Sequence, residues 1–248
     1  MRGLVTAVRT LTVLPVPGKE AERFSSALFW FPVVGLFLGL LQAGAGYLAM
    51  LSGWPELAAS MVLIAGVLLT RGMHADGFAD MADGFFGGRD RESRLRIMKD
   101  PSVGSFGAIG LILLFLFKSI VLVKLLAFGL YPWIVSGVLL ARLVQVALAS
   151  MLPYARREGG TAAGFVEGAG IQHFVAAFLV ALFILLLLMN GEMLPSGIGL
   201  SAAIAGAVLM SLLTIKKIGG VTGDVLGASS EFTEVLVWVS GVFLALCS

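Results

Sequence analysis

Charged residues are scarce in this 248-residue chain, where Asp, Glu, Lys and Arg together make up 13%. That share is about half of what a typical soluble domain carries. The stretch from Phe24 to Pro55 contains no charged residue at all, and it is longer than the roughly 20 residues that cross a bilayer. The composition therefore excludes an ordinary soluble domain and predicts an integral membrane protein. The formal net charge of +2 is too small to indicate nucleic acid binding.

Cysteine and the common cofactor motifs are also missing. Cys247 is the single cysteine of the chain, so an intrachain disulfide framework is excluded. The sequence contains no Walker loop, Rossmann fingerprint, zinc-ligand spacing or HExxH helix. Residues 1–17 do not form a convincing signal peptide, because Arg9 interrupts the apolar region and no cleavage pattern follows. What is abundant is hydrophobic residues (58%) and glycine (32 residues), a composition that suits closely packed membrane helices.

The hydrophobic runs predict an all-α fold: a polytopic membrane helical bundle that forms a single domain over residues 1–248. A short amphipathic helix is expected on the membrane surface before Pro15 and Pro17. Lys and Arg concentrate in four segments that alternate spans bring to one side, so the positive-inside rule predicts a cytoplasmic N-terminus. About seven transmembrane helices are predicted, at 25–51, 55–72, 104–128, 132–151, 171–190, 196–214 and 231–247.

Two of these predicted spans are short. The uncharged residues 57–70 and 235–248 fall below the roughly 20 residues that a bilayer requires. A full crossing would bring the adjoining polar residues, 74–83 and 224–234, to headgroup depth or below. Ionisable groups at that depth usually face the protein interior and mark a functional site. These two segments are therefore the predicted site.

Three aspartates in the first segment share one helical face. At 100° per residue, Asp76, Asp80 and Asp83 lie within about 60° of one another. Carboxylates this close repel each other, and Mg²⁺ relieves the repulsion by binding carboxylates together with substrate phosphates. The pattern predicts a Mg²⁺ site, with a solvated acidic helix end as the alternative. Gly77 and Gly84 beside the acids are expected to open a groove for a ligand.

His74 lies about 160° from Asp76 on an unbroken helix. It is a catalytic candidate only if Gly72 distorts the backbone, and otherwise a supporting or packing histidine. Arg142 is the only charge between Lys124 and Arg156. A buried arginine needs an anion, either one of the acids or a substrate phosphate.

Basic residues follow the aspartates and recur in a later loop. The arginines between 89 and 96 are consistent with two interpretations, binding of phosphate groups or a solvated loop, and the sequence does not choose between them. Lys99 and Asp100 are more specific candidates, because Gly104 follows at a predicted helix start whose free N–H groups can hold phosphate. Arg156 belongs to a glycine-containing loop, 153–168, and is a further substrate-binding candidate.

The last motif spans residues 219–234. Asp224 and Glu231 are seven residues apart and so share one helical face. The glycines of this motif are expected to let a ligand approach the backbone, and Thr222 is a candidate for substrate binding. We expect Asp224 and Glu231 to complete the site of the three aspartates. The alternative is that both carboxylates sit in water at the headgroups.

The segments HADGFADMADGFFGG, RDRESRLRIMKDPSVGSFG and GGVTGDVLGASSEFTEV, with TVLPVP and YARREGGTAAGF, resemble the adenosylcobalamin synthase family. These enzymes are also called adenosylcobinamide-GDP ribazoletransferases or cobalamin-5′-phosphate synthases. The resemblance implies a Mg²⁺-dependent enzyme of the bacterial inner membrane. In its reaction, α-ribazole or its 5′-phosphate displaces GMP from adenosylcobinamide-GDP, the final joining step of cobalamin assembly. Ala75 and Met81 occupy variable positions of the first motif.

Carried over to this chain, the resemblance implies that the three aspartates are the metal-site acids. His74, Asp224 or Glu231 would take the proton of the attacking hydroxyl, and the sequence does not choose among them. The expected partners are the two small-molecule substrates and the lipid bilayer, with the site facing the cytoplasm; a homo-oligomer is left open. One alternative is a membrane nucleotidyl-alcohol phosphotransferase with a lipid acceptor. The other is a cation transporter, which the position of the acids at the inner ends of spans disfavours.

Overall fold

The computed structural model describes residues 1–247, and over that range it is helical, with a single β-bridge and no β-strand. A 3₁₀ helix, Phe24–Trp30, leads into the second α-helix. The α-helices are α1 (Arg2–Leu11), α2 (Phe31–Met50), α3 (Pro55–Leu69), α4 (Met73–Gly87), α5 (Arg91–Ile97), α6 (Ser105–Ala127), α7 (Tyr131–Met151), α8 (Ala163–Val166), α9 (Ile171–Leu188), α10 (Met193–Ile218) and α11 (Gly223–Cys247).

Six segments within residues 1–247 are long and apolar enough to cross a membrane: α2 with its 3₁₀ turn, α6, α7, α9, α10 and α11. The pair α3 and α4 brings the number of candidates to seven if it counts as one bent span. The predicted all-α membrane bundle with about seven spans is therefore confirmed. One boundary was wrong, because the last helix begins at Gly223 rather than at 231. This helix of 25 residues is long enough to cross a membrane, although it contains acidic side chains.

The chain turns by 88° between α3 and α4. Arg71 and Gly72 both adopt left-handed backbone angles there, with φ of 55° and 66°, a conformation that glycine takes without strain. The 15 residues of α3 rise only about 22 Å, less than the roughly 30 Å hydrocarbon core. The turn therefore places the polar helix α4 across the end of the bundle. The N–H of Val13 donates to the carbonyl of Leu69 (2.9 Å) and ties the N-terminal segment to this end.

Helix α7 forms the centre of the bundle, with every residue from Trp133 to Ala149 buried. It packs against α2, α9, α10 and α11. The approach of α2 is close at Gly35 and Gly39. A Cβ there would lie 3.0 Å from the carbonyl oxygen of Val138 and 2.9 Å from Cα of Val135, respectively. Small residues at helix crossings are the usual means of bringing membrane helices into contact.

A second close crossing joins α4 to α11. A Cβ at Gly77 would lie 2.8 Å from the carbonyl oxygen of Asp224, and one at Gly227 would lie 3.2 Å from Cα of His74. Gly84 is likewise covered by Met98 and by the carbonyl of Arg94. The expectation that Gly77 and Gly84 open a groove for a ligand is therefore wrong, because neighbouring backbone and side chains fill both positions. These glycines instead bring Asp224 beside the aspartates of α4.

The close crossing of α4 and α11 predicts that substitution by alanine affects stability differently at two helical glycines. Gly77→Ala should lower the thermal unfolding temperature in detergent by several degrees, since a methyl group would overlap the Asp224 backbone. The matched control is Gly44→Ala, where a Cβ would meet no atom of residues 1–247 within 4 Å. That variant should keep or slightly raise stability, because alanine favours a helix over glycine by roughly 1 kcal/mol. Equal unfolding temperatures for the two variants would contradict the close crossing.

Candidate active site

The three aspartates lie on one uninterrupted helix, α4, as their spacing predicts. Asp76 is exposed and Asp80 is half-buried. Within residues 1–247, neither carboxylate accepts a hydrogen bond or forms an ion pair. Their oxygens are therefore available to a ligand.

Asp83 is differently engaged. It is buried, with 7% of its surface exposed. Its two carboxylate oxygens accept hydrogen bonds from the N–H groups of Gly104 (2.7 Å) and Gly107 (2.9 Å). These are donors at the start of α6, which would otherwise have no intrahelical partner. Asp83 thus caps α6, and the Gly104 N–H that the sequence assigns to a phosphate is already bonded.

Asp224 reaches the same end of the bundle from the first turn of α11. Its carboxylate accepts hydrogen bonds from Arg156 (2.7 Å) and from the Thr222 hydroxyl (3.2 Å). The Thr222 oxygen in turn accepts from the N–H of Val225 (3.3 Å), as a helix-capping residue does. Four of the predicted site residues, Asp76, Asp80, Asp224 and Arg156, are therefore brought close together, with Thr222 supporting Asp224.

Two loops position Arg156. Tyr154 and Val221 form a parallel β-bridge, with Ala155 N–H donating to Val221 (2.8 Å) and Val221 N–H donating to Pro153 (2.8 Å). A side chain at Gly220 would overlap the carbonyl of Pro153, so this pairing requires glycine. Burial raises the pKa of the Tyr154 hydroxyl, so it remains an uncharged phenol beside the site.

The acidic side chains act on one another electrostatically. Asp80 is repelled by Asp224, Asp76 and Asp83, and Arg156 is the cation that attracts it. Within residues 1–247, no three His, Cys, Asp or Glu side chains converge closely enough to coordinate one metal ion by themselves. The arrangement therefore offers an excess of negative charge and two unengaged carboxylates rather than a closed metal cage.

A basic groove of about 420 Å³ opens beside this cluster, between α5 and the loop that carries Arg156. Its basic side chains are Arg91, Arg96, Lys99, Arg156 and Arg157. Lys99 also pairs with the exposed Glu158 (2.8 Å), and its hydrogen bond holds the pKa of Glu158 below the usual range. The groove can attract an anion larger than a single phosphate.

Two arginines of α5 serve structure as well. Arg91 donates to the carbonyls of Ile218 (2.7 Å) and Ala155, and Arg94 donates to that of Lys217 (3.0 Å). The bonds to Ile218 and Lys217 satisfy carbonyls at the C-terminal end of α10. The bond to Ala155 ties α5 to the loop that carries Arg156. Asp100 accepts from the N–H of Ser102 (2.9 Å), and this bond lowers its pKa. Asp100 is therefore an exposed anion in a turn, and its negative charge would repel a phosphate, so its assignment as a substrate-binding residue is not supported.

Glu231 lies two turns along α11 and points elsewhere. Its carboxylate forms an ion pair with Lys118 of α6. The carboxylate of Glu234 pairs with the same ammonium group at 2.6 Å. The ammonium group of Lys118 also lies 5.0 Å from the ring centroid of Trp238. All four side chains lie deep in the bundle, and Lys118 is only 3% exposed. Asp224 and Glu231 therefore belong to separate clusters, although the sequence predicts a shared one.

Arg142 joins His74 to this buried cluster. It donates to Nε2 of His74 (3.0 Å) and to the hydroxyl of Ser230, and it lies 4.0 Å from Glu234. Because arginine has only donors, Nε2 of His74 must be the acceptor, and the ring proton resides on Nδ1. His74 sits inside α4 despite the turn at Gly72, so it faces away from the aspartates.

Sequence reasoning missed the partnership of Lys118 with Glu231 and Glu234. A signal for it was present, because a lysine in the middle of an apolar span requires an anion. The two glutamates, three residues apart, lie on one face of another span. These two glutamates were candidate partners for the lysine, but only the fold shows that this face of α11 packs against Lys118 of α6.

Taken together, the bundle, the unengaged carboxylates and the basic groove define a membrane-embedded enzyme suited to a substrate that carries phosphate. The sequence model of one family, described as cobalamin-5-phosphate synthase, matches residues 3–242. The chain belongs to this family, as its motifs indicate, and is a transferase of cobalamin biosynthesis.

Curated relatives support the assignment over nearly the whole chain. A protein of Prosthecochloris aestuarii named adenosylcobinamide-GDP ribazoletransferase is 62% identical over 242 residues, covering 98% of each chain. One of the same name from Chlorobium chlorochromatii is 57% identical, covering 98% of this chain and 96% of its own. A more distant one, from Brevibacillus brevis, is 31% identical and covers 96% of both. No solved structure matches the chain.

The buried ion cluster predicts a large loss of stability when one charge is removed. Lys118→Met should destabilise the protein by about 3 kcal/mol or more, because the buried Glu234 and the largely buried Glu231 lose this cationic partner. Lys124→Met on the same helix is the control, since Lys124 is exposed and should tolerate the change. Thermal unfolding in detergent measures both. Adding Glu231→Gln and Glu234→Gln to Lys118→Met should recover part of the loss; no recovery would contradict the pairing.

Proposed function

We propose that this enzyme joins α-ribazole, or its 5′-phosphate, to adenosylcobinamide-GDP with release of GMP, and that the reaction requires Mg²⁺. The observation that carries the proposal is the pair of unengaged carboxylates, Asp76 and Asp80, beside the Asp224–Arg156 ion pair. The names of the relatives supply the substrates. The unengaged carboxylates and the basic side chains of the groove are the groups that would bind Mg²⁺ and the substrate phosphates.

The two unengaged carboxylates suit Mg²⁺. This ion is commonly held by one or two carboxylates, with water and substrate phosphates completing its shell. Asp76 and Asp80 would hold it, and their mutual repulsion with Asp224 would fall when it binds. When bound, the metal supplies positive charge that neutralises the phosphates. Asp83 would contribute indirectly, because its hydrogen bonds to Gly104 and Gly107 hold the start of α6 in position.

The basic groove would receive the nucleotide. A guanosine diphosphate group carries several negative charges, and the arginines and Lys99 lining the groove attract them. Arg156 belongs both to the groove and to the acidic cluster. It is therefore placed to contact a phosphate while it holds Asp224.

Asp224 is the candidate that the geometry favours as general base. One of its oxygens is held by Arg156 and Thr222, and no hydrogen bond of residues 1–247 engages the other. Glu231 is paired with Lys118, and the Nε2 lone pair of His74 is used by Arg142. Both would have to give up a buried partner before they could take a proton.

The proposed step is a single phosphoryl-group displacement. A ribose hydroxyl of α-ribazole gives its proton to Asp224, and its oxygen bonds to the phosphorus attached to cobinamide. The bond from that phosphorus to the GMP oxygen breaks, and GMP leaves with the electron pair. Positioning and charge neutralisation supply most of the catalysis in such transfers.

The decisive experiment incubates purified protein in detergent with adenosylcobinamide-GDP, α-ribazole and Mg²⁺ and measures GMP. Wild-type protein should release GMP, and EDTA should stop the release until Mg²⁺ is restored. Asp80→Asn should lower kcat/KM by at least about 100-fold, as loss of a charge-stabilising group does, and leave thermal stability unchanged. The control is Asp90→Asn, the same chemical change at a helix cap outside the site, where asparagine caps equally well.

Three outcomes would count against the proposal. Full activity of Asp80→Asn at limiting Mg²⁺ would remove this residue from the site. GMP release with a lipid alcohol but not with α-ribazole would favour the alternative transferase. Activity that survives exhaustive chelation would remove the metal.

We further propose that the site faces the cytoplasm of the bacterial inner membrane, because Lys and Arg concentrate at this end of the bundle. The test replaces Cys247 by serine and introduces one cysteine at Ser102, beside the site, or at Ser52, between α2 and α3; both positions are exposed. In intact cells, an impermeant maleimide should label Ser52→Cys and spare Ser102→Cys. The reverse labelling would place the site on the outer side.

A further inference from the structure

An apolar cavity of about 100 Å³ lies beside the acidic cluster and is lined by other residues than the basic groove. It is enclosed by α1, the 3₁₀ helix, α4, α7, α8 and the start of α11. Its inner wall includes Leu28 and Ala149, which are 1% and 2% exposed. Thr161 lies at its mouth and is exposed. The cavity is large enough for several water molecules, yet it is lined mainly by carbon.

Aromatic rings form one wall. Phe31 and Phe165 both line the cavity, with ring centroids 5.9 Å apart. Phe24 packs edge-on against Phe165 at 5.4 Å and holds that ring in place. Such a wall favours a further flat aromatic ring, which can stack or meet the rings edge-on.

Most polar groups that line the interior already have partners among the described residues, the exception being the Nδ1–H of His74. Gln145 donates to the carbonyl of Leu226 (3.1 Å), and His74 accepts from Arg142. By contrast, the hydroxyl of Thr161 at the mouth makes no hydrogen bond to the other described residues. An apolar group therefore fits the interior, and a group with a hydrogen-bond acceptor fits the mouth.

The mouth adjoins the proposed reaction centre. Gly223 lines the cavity and directly precedes Asp224. A Cβ at Gly223 would lie 3.1 Å from Oγ1 of Thr161. A ligand that fills the cavity and extends past Thr161 would thus meet the first turn of α11, where the carboxylate of Asp224 is located.

We infer that this cavity binds the aromatic base of the acceptor nucleoside, an inference that rests on the proposed function. The base of α-ribazole, 5,6-dimethylbenzimidazole, is flat and apolar and has one free ring nitrogen that accepts a hydrogen bond. The base is larger than the cavity, so its dimethyl-substituted ring would enter with the methyl groups against Leu28 and Ala149 while the imidazole ring, with that nitrogen, lies at the open Thr161 end. The ribose then projects toward Asp224. The two substrates would thus approach the same carboxylate from two separate binding regions.

The test narrows the cavity and measures each substrate separately. Ala149→Leu should raise KM for α-ribazole roughly tenfold or more, since a misfit of a few carbons in an apolar pocket has effects of this size. KM for adenosylcobinamide-GDP should stay within about twofold of wild type, because the nucleotide binds elsewhere. Ala181→Leu is the matched control: Ala181 is buried in α9 but does not line the cavity. Thr161→Val, at an exposed position, should raise KM for α-ribazole several-fold without loss of folding.

A binding measurement makes the test independent of turnover. Wild-type protein in detergent should bind free 5,6-dimethylbenzimidazole in a calorimetric titration, and Ala149→Leu should weaken that binding. An active enzyme in which Ala149→Leu and Thr161→Val leave KM for α-ribazole unchanged would overturn the inference, and a lipid tail would then be the better occupant. Absence of GMP release by wild type would instead overturn the proposed reaction. In that case, the cavity assignment would still be supported if wild-type protein binds the free base and Ala149→Leu abolishes this binding.

Discussion

The backbone of α4 meets the first turn of α11 at Gly77, where even a methyl group would lie 2.8 Å from the carbonyl of Asp224. This contact depends on the turn at Arg71 and Gly72, which lays α4 across the end of the bundle. Without it, Asp224 and the aspartates of α4 would sit on separate, roughly parallel helices. With it, carboxylates from two distant parts of the sequence share one electrostatic environment.

The acidic side chains of the bundle form two groups that differ in how their charge is compensated. Deep in the bundle, Glu231 and Glu234 are both matched by Lys118, because an unpaired charge in that surrounding is expensive. At the end of the bundle, by contrast, Asp76 and Asp80 have no hydrogen-bond or ion-pair partner among residues 1–247. Water and a bound cation can reach them there. The distinction separates a cluster that holds helices together from one that can exchange ligands.

The features that could be predicted from the sequence are those set by local periodicity. The apolar runs gave the spans, and the spacing of Asp76, Asp80 and Asp83 gave their shared helix, both of which the structure confirms. Partners between helices could not be predicted. Asp83 caps α6 because Gly104 and Gly107 come to it in the fold. Glu231 shares a face with Asp224, yet the two turns between them place it opposite Lys118. The start of α11 was misplaced because residues 223–230 contain Asp224 and two glycines, a composition that favours a loop when the packing against α4 is not known.

The loop between α7 and α9 links the two proposed substrate sites. Arg156 and Arg157 face the basic groove, whereas Thr161 and Phe165, a few residues later, line the apolar cavity. Two residues before Arg156, the chain is anchored by the bridge between Tyr154 and Val221, which lies just before α11. A nucleotide in the groove and an aromatic base in the cavity would therefore contact opposite ends of one short segment, with Asp224 between them. Binding of either substrate would restrict the conformations of this segment, so less entropy would be lost when the other binds.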